Sequence, residues 1–192
     1  MNARAAAAGE TADRILDAAL ARYATLPYDR IRIEDVAADA EVTGQTVIRR
    51  FGGKAGLIVA LVERELRRIA AAREAGHGSG PRELLHDLVV HYERYGELIL
   101  KMYSEAPLID GLPELADRGR AFHVQWCRQA FVRQLAELPD DAAQRRLAEV
   151  IAVCDATTWR ILRKDGALDP GQVELALGEL MDAALAAADG SR

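Results

Sequence analysis

Cysteine is scarce in this chain: Cys127 and Cys154 are the only two among 192 residues. Two thiols are too few for a disulfide framework and fit a reducing compartment, where buried cysteines pack as small apolar side chains. Aromatic residues are also few, at 5% of a sequence that is 50% apolar. A composition led by Ala and Leu, with little aromatic weight, disfavours a sheet and predicts an all-α fold. Long hydrophobic runs are missing. The alanines of MNARAAAAGETADR are too short a stretch for a spanning helix or a signal-peptide core, and charge follows at once. A cytoplasmic protein with no membrane association is expected. Signatures of catalysis are absent too, with no HExxH, paired CxxC, GxSxG or phosphate loop. His123 and Cys127, four apart on a predicted helix, are the nearest approach to a metal or nucleophile pair, and two such residues do not complete a site. No enzyme activity, metal or cofactor is expected.

What charge there is falls unevenly. The net charge of −5 argues against nucleic acid for the chain as a whole, because phosphate neutralisation supplies most of the affinity in such interfaces. Residues 1–60, however, balance eight Lys/Arg against eight Asp/Glu. From Val42 to Leu61 there are three cations, Arg49, Arg50 and Lys54, and no acid. A basic surface on a neutral head with an acidic body suits a DNA reader, since only the face on the backbone needs positive potential.

Helical spacing of apolar residues organises the chain. Ile15, Leu16, Ala19, Leu20 and Tyr23 predict a first helix, with Thr11 as its N-cap, residues 1–10 disordered before it, and a stop at Leu26 and Pro27. A second helix is expected from Ile33 to Ala40 and a third from Gly44 to Phe51, capped by Thr43 and ended by Gly52 and Gly53. A long fourth helix follows from Lys54 to about Ala75. Gly76 to Pro81, GHGSGP, reads as a loop between segments. Four further helices are expected: Pro81–Ser104, Leu115–Leu138, Asp141–Lys164 and Pro170–Ala187, with stops at Pro107, Pro139 and Gly166.

Three short helices with a tight turn between the second and third make a helix-turn-helix plausible on spacing alone. The side chains of the third sharpen this. Val47 and Phe51, four apart, point inward, while Gly44, Gln45, Thr46, Arg49 and Arg50 are small, amide, hydroxyl or cationic, the types that reach phosphates and base edges. The segment RILDAALARYATLPYDRIRIEDVAADAEVTGQTVIRRFGGKAGLIVALV, Arg14 to Val62, resembles the N-terminal domain of the tetracycline-repressor (TetR) family of bacterial regulators. The resemblance rests on the ILDAAL helix, Tyr23, Tyr28, the IEDVA helix, VTxxTV, Phe51, Lys54 and Leu57. It implies a DNA-binding domain over 1–53 and a helical ligand-binding and dimerisation domain over 54–192. It also implies that Thr43 opens the recognition helix near a phosphate, that Gln45, Thr46 and Arg49 face the DNA, and that Lys54 meets the backbone. Three positions depart from the family's pattern: Glu41 stands in the turn for a glycine, Ile48 replaces an aromatic, and Arg32 replaces a capping hydroxyl and is itself a candidate phosphate contact.

A single reading helix buries little, so a homodimer on a palindromic operator is expected. The stripes Val150, Cys154, Thr158 and Ile161 on one late helix, and Leu177, Leu180 and Met181 on another, suit a four-helix interface between two chains, or else the chain's own core. The middle helices carry His91, Tyr92, Tyr95, Met102 and Tyr103, then Phe122, His123, Trp126 and Cys127, with Trp159 later. That set suits a pocket for a small, largely apolar effector with a few polar tips, although such residues also serve as plain core. The other reading of the whole chain is a helical protein-interaction module whose head binds protein.

Overall fold

The computed structural model describes residues 2–74 and 80–186, and every regular element among them is helical. In chain order these are α1 Asn2–Thr25, a 3-10 turn Tyr28–Arg30, α2 Ile33–Asp39, α3 Gly44–Phe51, α4 Lys54–Glu74, α5 Pro81–Glu105, a 3-10 turn Ala106–Leu108, α6 Leu112–Ala130, α7 Val132–Ala136, α8 Asp140–Val153, α9 Ala156–Arg160, a π turn Ile161–Asp165, and α10 Pro170–Ala186. Most of the loop expected at 76–81 lies outside the described residues.

Two expectations about α1 need correction. The helix begins at Asn2, so the stretch expected to be disordered is helical, as befits an alanine run with the highest helix propensity. Thr11 is therefore interior, and its hydroxyl donates to the Ala7 carbonyl one turn back (2.9 Å) in place of capping. Further along, the helix expected over 115–138 begins earlier, at Leu112 with Pro113 in its first turn, and is interrupted at Phe131. The helix expected over 141–164 breaks after Val153. There Asp155, extended at φ −82° and ψ 147°, accepts a hydrogen bond from the Thr157 N–H (2.7 Å) and starts α9.

The chain divides into two compact units, one comprising residues up to Arg68 with Lys101–Asp117, the other Ile69–Leu100 with Arg118 onward. In the first unit Ile15, Ala19 and Tyr23 of α1, Val36 of α2, Val47 of α3, and Leu57, Ile58 and Leu61 of α4 are fully buried. Ion pairs tie its elements at their margins: Arg22 of α1 reaches Asp39 of α2 at 2.6 Å, and Arg64 of α4 reaches Asp17 of α1 at 2.9 Å. Arg64 is itself buried and also donates to Glu65 (2.9 Å), so two formal charges are shared inside the unit.

The second unit is built on Leu84, Leu85, Leu88 and Tyr92 of α5, Trp126 and Cys127 of α6, Phe131, Val150 of α8, Trp159 of α9, and Val173, Leu177 and Met181 of α10. The stripes expected to form a subunit interface, or else the chain's own core, contribute to this core. Val150, Cys154, Leu177 and Met181 are each at most 1% exposed, because the stripes of α8 and α10 meet within one chain. Of that set, Ile161 and Leu180 remain exposed and Thr158, part-exposed, bonds to the Ala152 carbonyl.

Candidate functional site

The head presents the third helix on a scaffold fixed by three local devices. Thr43, extended at φ −89° and ψ 151°, accepts from the Thr46 N–H (3.2 Å), and the two threonine hydroxyls pair at 2.9 Å. This cap satisfies one of the unpaired donors at the helix start and sets its first turn. Gly52 ends the helix in the left-handed region at φ 79°, where the lack of a Cβ removes the steric cost. Glu41 makes the turn into α3 at φ 54°, the conformation for which a glycine is better suited.

With Val47 buried, α3 leaves Gln45, Ile48, Arg49 and Arg50 exposed, with Gly44 and Thr46 part-exposed at its start. Positions 45, 48 and 49 follow the spacing of one helical face. Arg32 sits at the N-cap of α2 without a side-chain cap bond, and its nearest charge is Glu34 at 3.9 Å. Lys54 turns toward the 3-10 turn: its ammonium donates to the carbonyls of Tyr28 (2.9 Å) and Asp29 (3.4 Å) and lies 4.3 Å above the Tyr28 ring.

In the second unit the residues expected around an effector divide. His91, Tyr92, Trp126, Cys127 and Trp159 are buried, Tyr95, Phe122 and His123 are part-exposed, and Met102 and Tyr103 belong to the other compact unit. At the middle of the second-unit set stands Arg73. Its Nη1 donates to His123 Nδ1 (3.0 Å) and its Nη2 to the Tyr92 hydroxyl (2.8 Å), while the guanidinium lies 5.0 Å from the Trp126 ring centre. Since a guanidinium only donates, His123 Nδ1 must accept, which leaves Nε2 to carry the ring proton toward the Ile151 carbonyl (3.5 Å) and the Cys127 sulfur (3.7 Å). The Tyr92 hydroxyl likewise donates onward to the Cys154 carbonyl at 2.7 Å. Burial, reinforced by the charge of Arg73 and by His123, pushes the His91 imidazole down to about 3. The Cys127 thiol is drawn down to about 6, first by a hydrogen bond from Cys154 and then by His123 and Arg73, against the opposing effect of burial.

Comparison with known proteins fits this geometry. Residues 15–61 match the model for bacterial regulatory proteins of the tetR family. The chain carries a tetR-family domain. That domain is the head described above, so the protein is a DNA-binding transcriptional regulator. A TetR-family transcriptional regulator from a Rhodococcus species superposes with a TM-score of 0.68 at 22% identity, covering 92% of this chain and 99% of its own. A transcriptional regulator from Rhodococcus sp. Rha1 gives 0.75 at 16% identity, covering 94% and 99%. A transcriptional regulator from Saccharomonospora viridis, solved in complex with choline, gives 0.65 at 18% identity, covering 91% and 96%. At these identities the likeness is one of fold. Among curated proteins nothing matches the sequence.

Two residues gain a meaning from the structure that their sequence context does not give them. Ile48, a departure from the family's pattern, is 42% exposed on the open face of α3. Its position three residues from Gln45 is the signal that could have placed it there. Arg73 is one arginine among several on α4, and nothing local sets it apart from a solvated charge.

Proposed function

We propose that this tetR-family regulator is a homodimeric repressor that binds a palindromic operator and is released by a small, largely apolar effector. The observation that carries the DNA reading is the open face of α3, where Gln45, Ile48, Arg49 and Arg50 stand exposed over a buried Val47 within a run from Val42 to Leu61 that holds no acid. Amide and guanidinium tips match purine edges, and an aliphatic side chain suits a thymine methyl. In this reading residues 1–53 form the DNA-binding domain and 54–192 the ligand-binding and dimerisation domain. Arg32, Thr43, Gly44 and Thr46 approach the backbone. Lys54 joins them with the one ammonium N–H that Tyr28 and Asp29 leave unused. Ile161 and Leu180, left open by the single chain, support a pairing face on the second unit.

The effector reading is supported by the aromatic and polar-tipped cluster of the second unit, and by the choline held in a regulator of the same fold. Release then follows by population shift, the ligand favouring a conformation whose two heads no longer match successive major grooves. The test is DNA binding as a function of salt. Affinity should fall by about 10³-fold or more between about 50 and 200 mM salt if six or more phosphates are met, and Arg49→Ala should weaken binding without unfolding the head. Binding indifferent to salt and to Arg49→Ala would instead mark the head as a protein-interaction module.

A further inference from the structure

Arg73 brings a positive charge into the second unit with no carboxylate partner among the described residues. Each hydrogen bond it makes there ends on a group that is not a carboxylate, His123 at 3.0 Å and the Tyr92 hydroxyl at 2.8 Å. Its Nε is buried with no partner among the described residues. A second buried polar atom in the same cluster is equally unpaired: His91, 8% exposed, has its Nε2 without a partner. Buried polar atoms are nearly always satisfied, so two orphans beside a guanidinium that has no carboxylate partner mark a place that expects an anion.

The surroundings say which anion. The guanidinium lies 5.4 Å from the Tyr92 ring and 5.0 Å from that of Trp126, and the His91 ring stands 5.1 Å from Tyr95. One cation among aromatic walls balances a single negative charge on an otherwise apolar molecule, whereas a phosphate dianion would leave charge over. Burial first, and the charge of Arg73 after it, holds the His91 imidazole well below its ordinary range. Cys127 itself reaches Arg73 only through His123.

We propose that the second unit binds a monocarboxylate with an aryl or alkyl body, its oxygens accepting from Arg73 Nε and His91 Nε2 and its apolar part lying against Tyr92, Tyr95 and Trp126. This rests on the effector reading above and narrows it: the effector is apolar in body and anionic at one end. A cation such as choline is excluded by the same charge.

The two tryptophans, Trp126 and Trp159, report binding by fluorescence. Titration with benzoate, 3-phenylpropionate and octanoate should give saturation for at least one acid at or below about 10 mM. The amide of the same skeleton should bind at least about tenfold more weakly, since it loses the charge-assisted bond. Choline should give no saturation. Arg73→Gln, checked for fold by circular dichroism and thermal melting, should erase the preference for acid over amide. An amide that binds as well as its acid, an acid preference that survives Arg73→Gln, saturation by choline, or no response to any of the three acids would each overturn the assignment. If Arg73→Gln does not fold, the acid and amide titrations of the unaltered protein decide. DNA release is measured separately. Acid binding that leaves the operator complex intact would overturn the effector reading and leave the carboxylate site standing.

Discussion

Single residues set the precision of this molecule, and several announce their roles in the amino-acid sequence alone. Thr43 followed by a helix-forming stretch signals a cap, and the fold makes it with a 3.2 Å bond to the Thr46 N–H. Glu41, conspicuous in a turn that favours glycine, does adopt φ 54°, at a cost of about 1 kcal/mol. Arg73 and His91 are less legible because their meaning depends on α4, α5 and α6 meeting, which no local pattern records. His91 carries a pH prediction. Its folded imidazole is held at about 3 against an ordinary 6.5, so between those values the unfolded chain binds a proton that the folded chain refuses. Stability therefore falls as pH falls through this window, by about 1.4 kcal/mol per unit at most. Urea denaturation at neutral pH and at about pH 5 should show a loss of about 2 kcal/mol in the unaltered protein beyond that in His91→Phe. Equal losses in both proteins would mean that His91 is not held neutral by the fold.

At the scale of elements, periodicity locates the helices and composition their class, while two breaks leave little trace in either. The break at Phe131 has neither glycine nor proline to mark it and coincides with a side chain that is fully buried. The break at Asp155 has a signal in Asp-Ala-Thr, the pattern of a cap, hidden by an apolar stripe that runs on through it. The same stripes suggest a subunit interface because an amphipathic face does not say whether its partner is in the same chain. Gly96 of α5 packs closely against Trp159 of α9. A Cβ added at Gly96 would stand 2.5 Å from Cζ3 of Trp159, whose indole N–H is held by Glu93 at 2.9 Å. Gly96→Ala should therefore cost about 1–3 kcal/mol despite the better helix propensity of alanine, with a shift in tryptophan emission. A melting temperature at or above that of the unaltered protein would show that Trp159 yields without penalty.

The whole molecule joins a near-neutral head to an acidic body, and its sign pattern is readable from the sequence: the excess of acid lies outside residues 1–60. The resemblance over Arg14–Val62 is legible for the same reason that the tetR-family model matches 15–61, since caps, turn and core residues of a small head recur at fixed intervals. The body offers no such motif, and its likeness to known regulators is one of fold at 15–22% identity. The proposed ligand and pairing face therefore rest on chemistry and not on pattern. The decisive measurement is a footprint of the full chain on the DNA upstream of its own gene and on sequences selected from a random pool. Two protected half-sites related by a dyad, about 10 base pairs apart or a multiple of that, with protection lost in Arg49→Ala, are expected of a dimer that reads DNA with α3. Absence of protection on every sequence tried, with the protein folded, would contradict the assignment of this face to DNA.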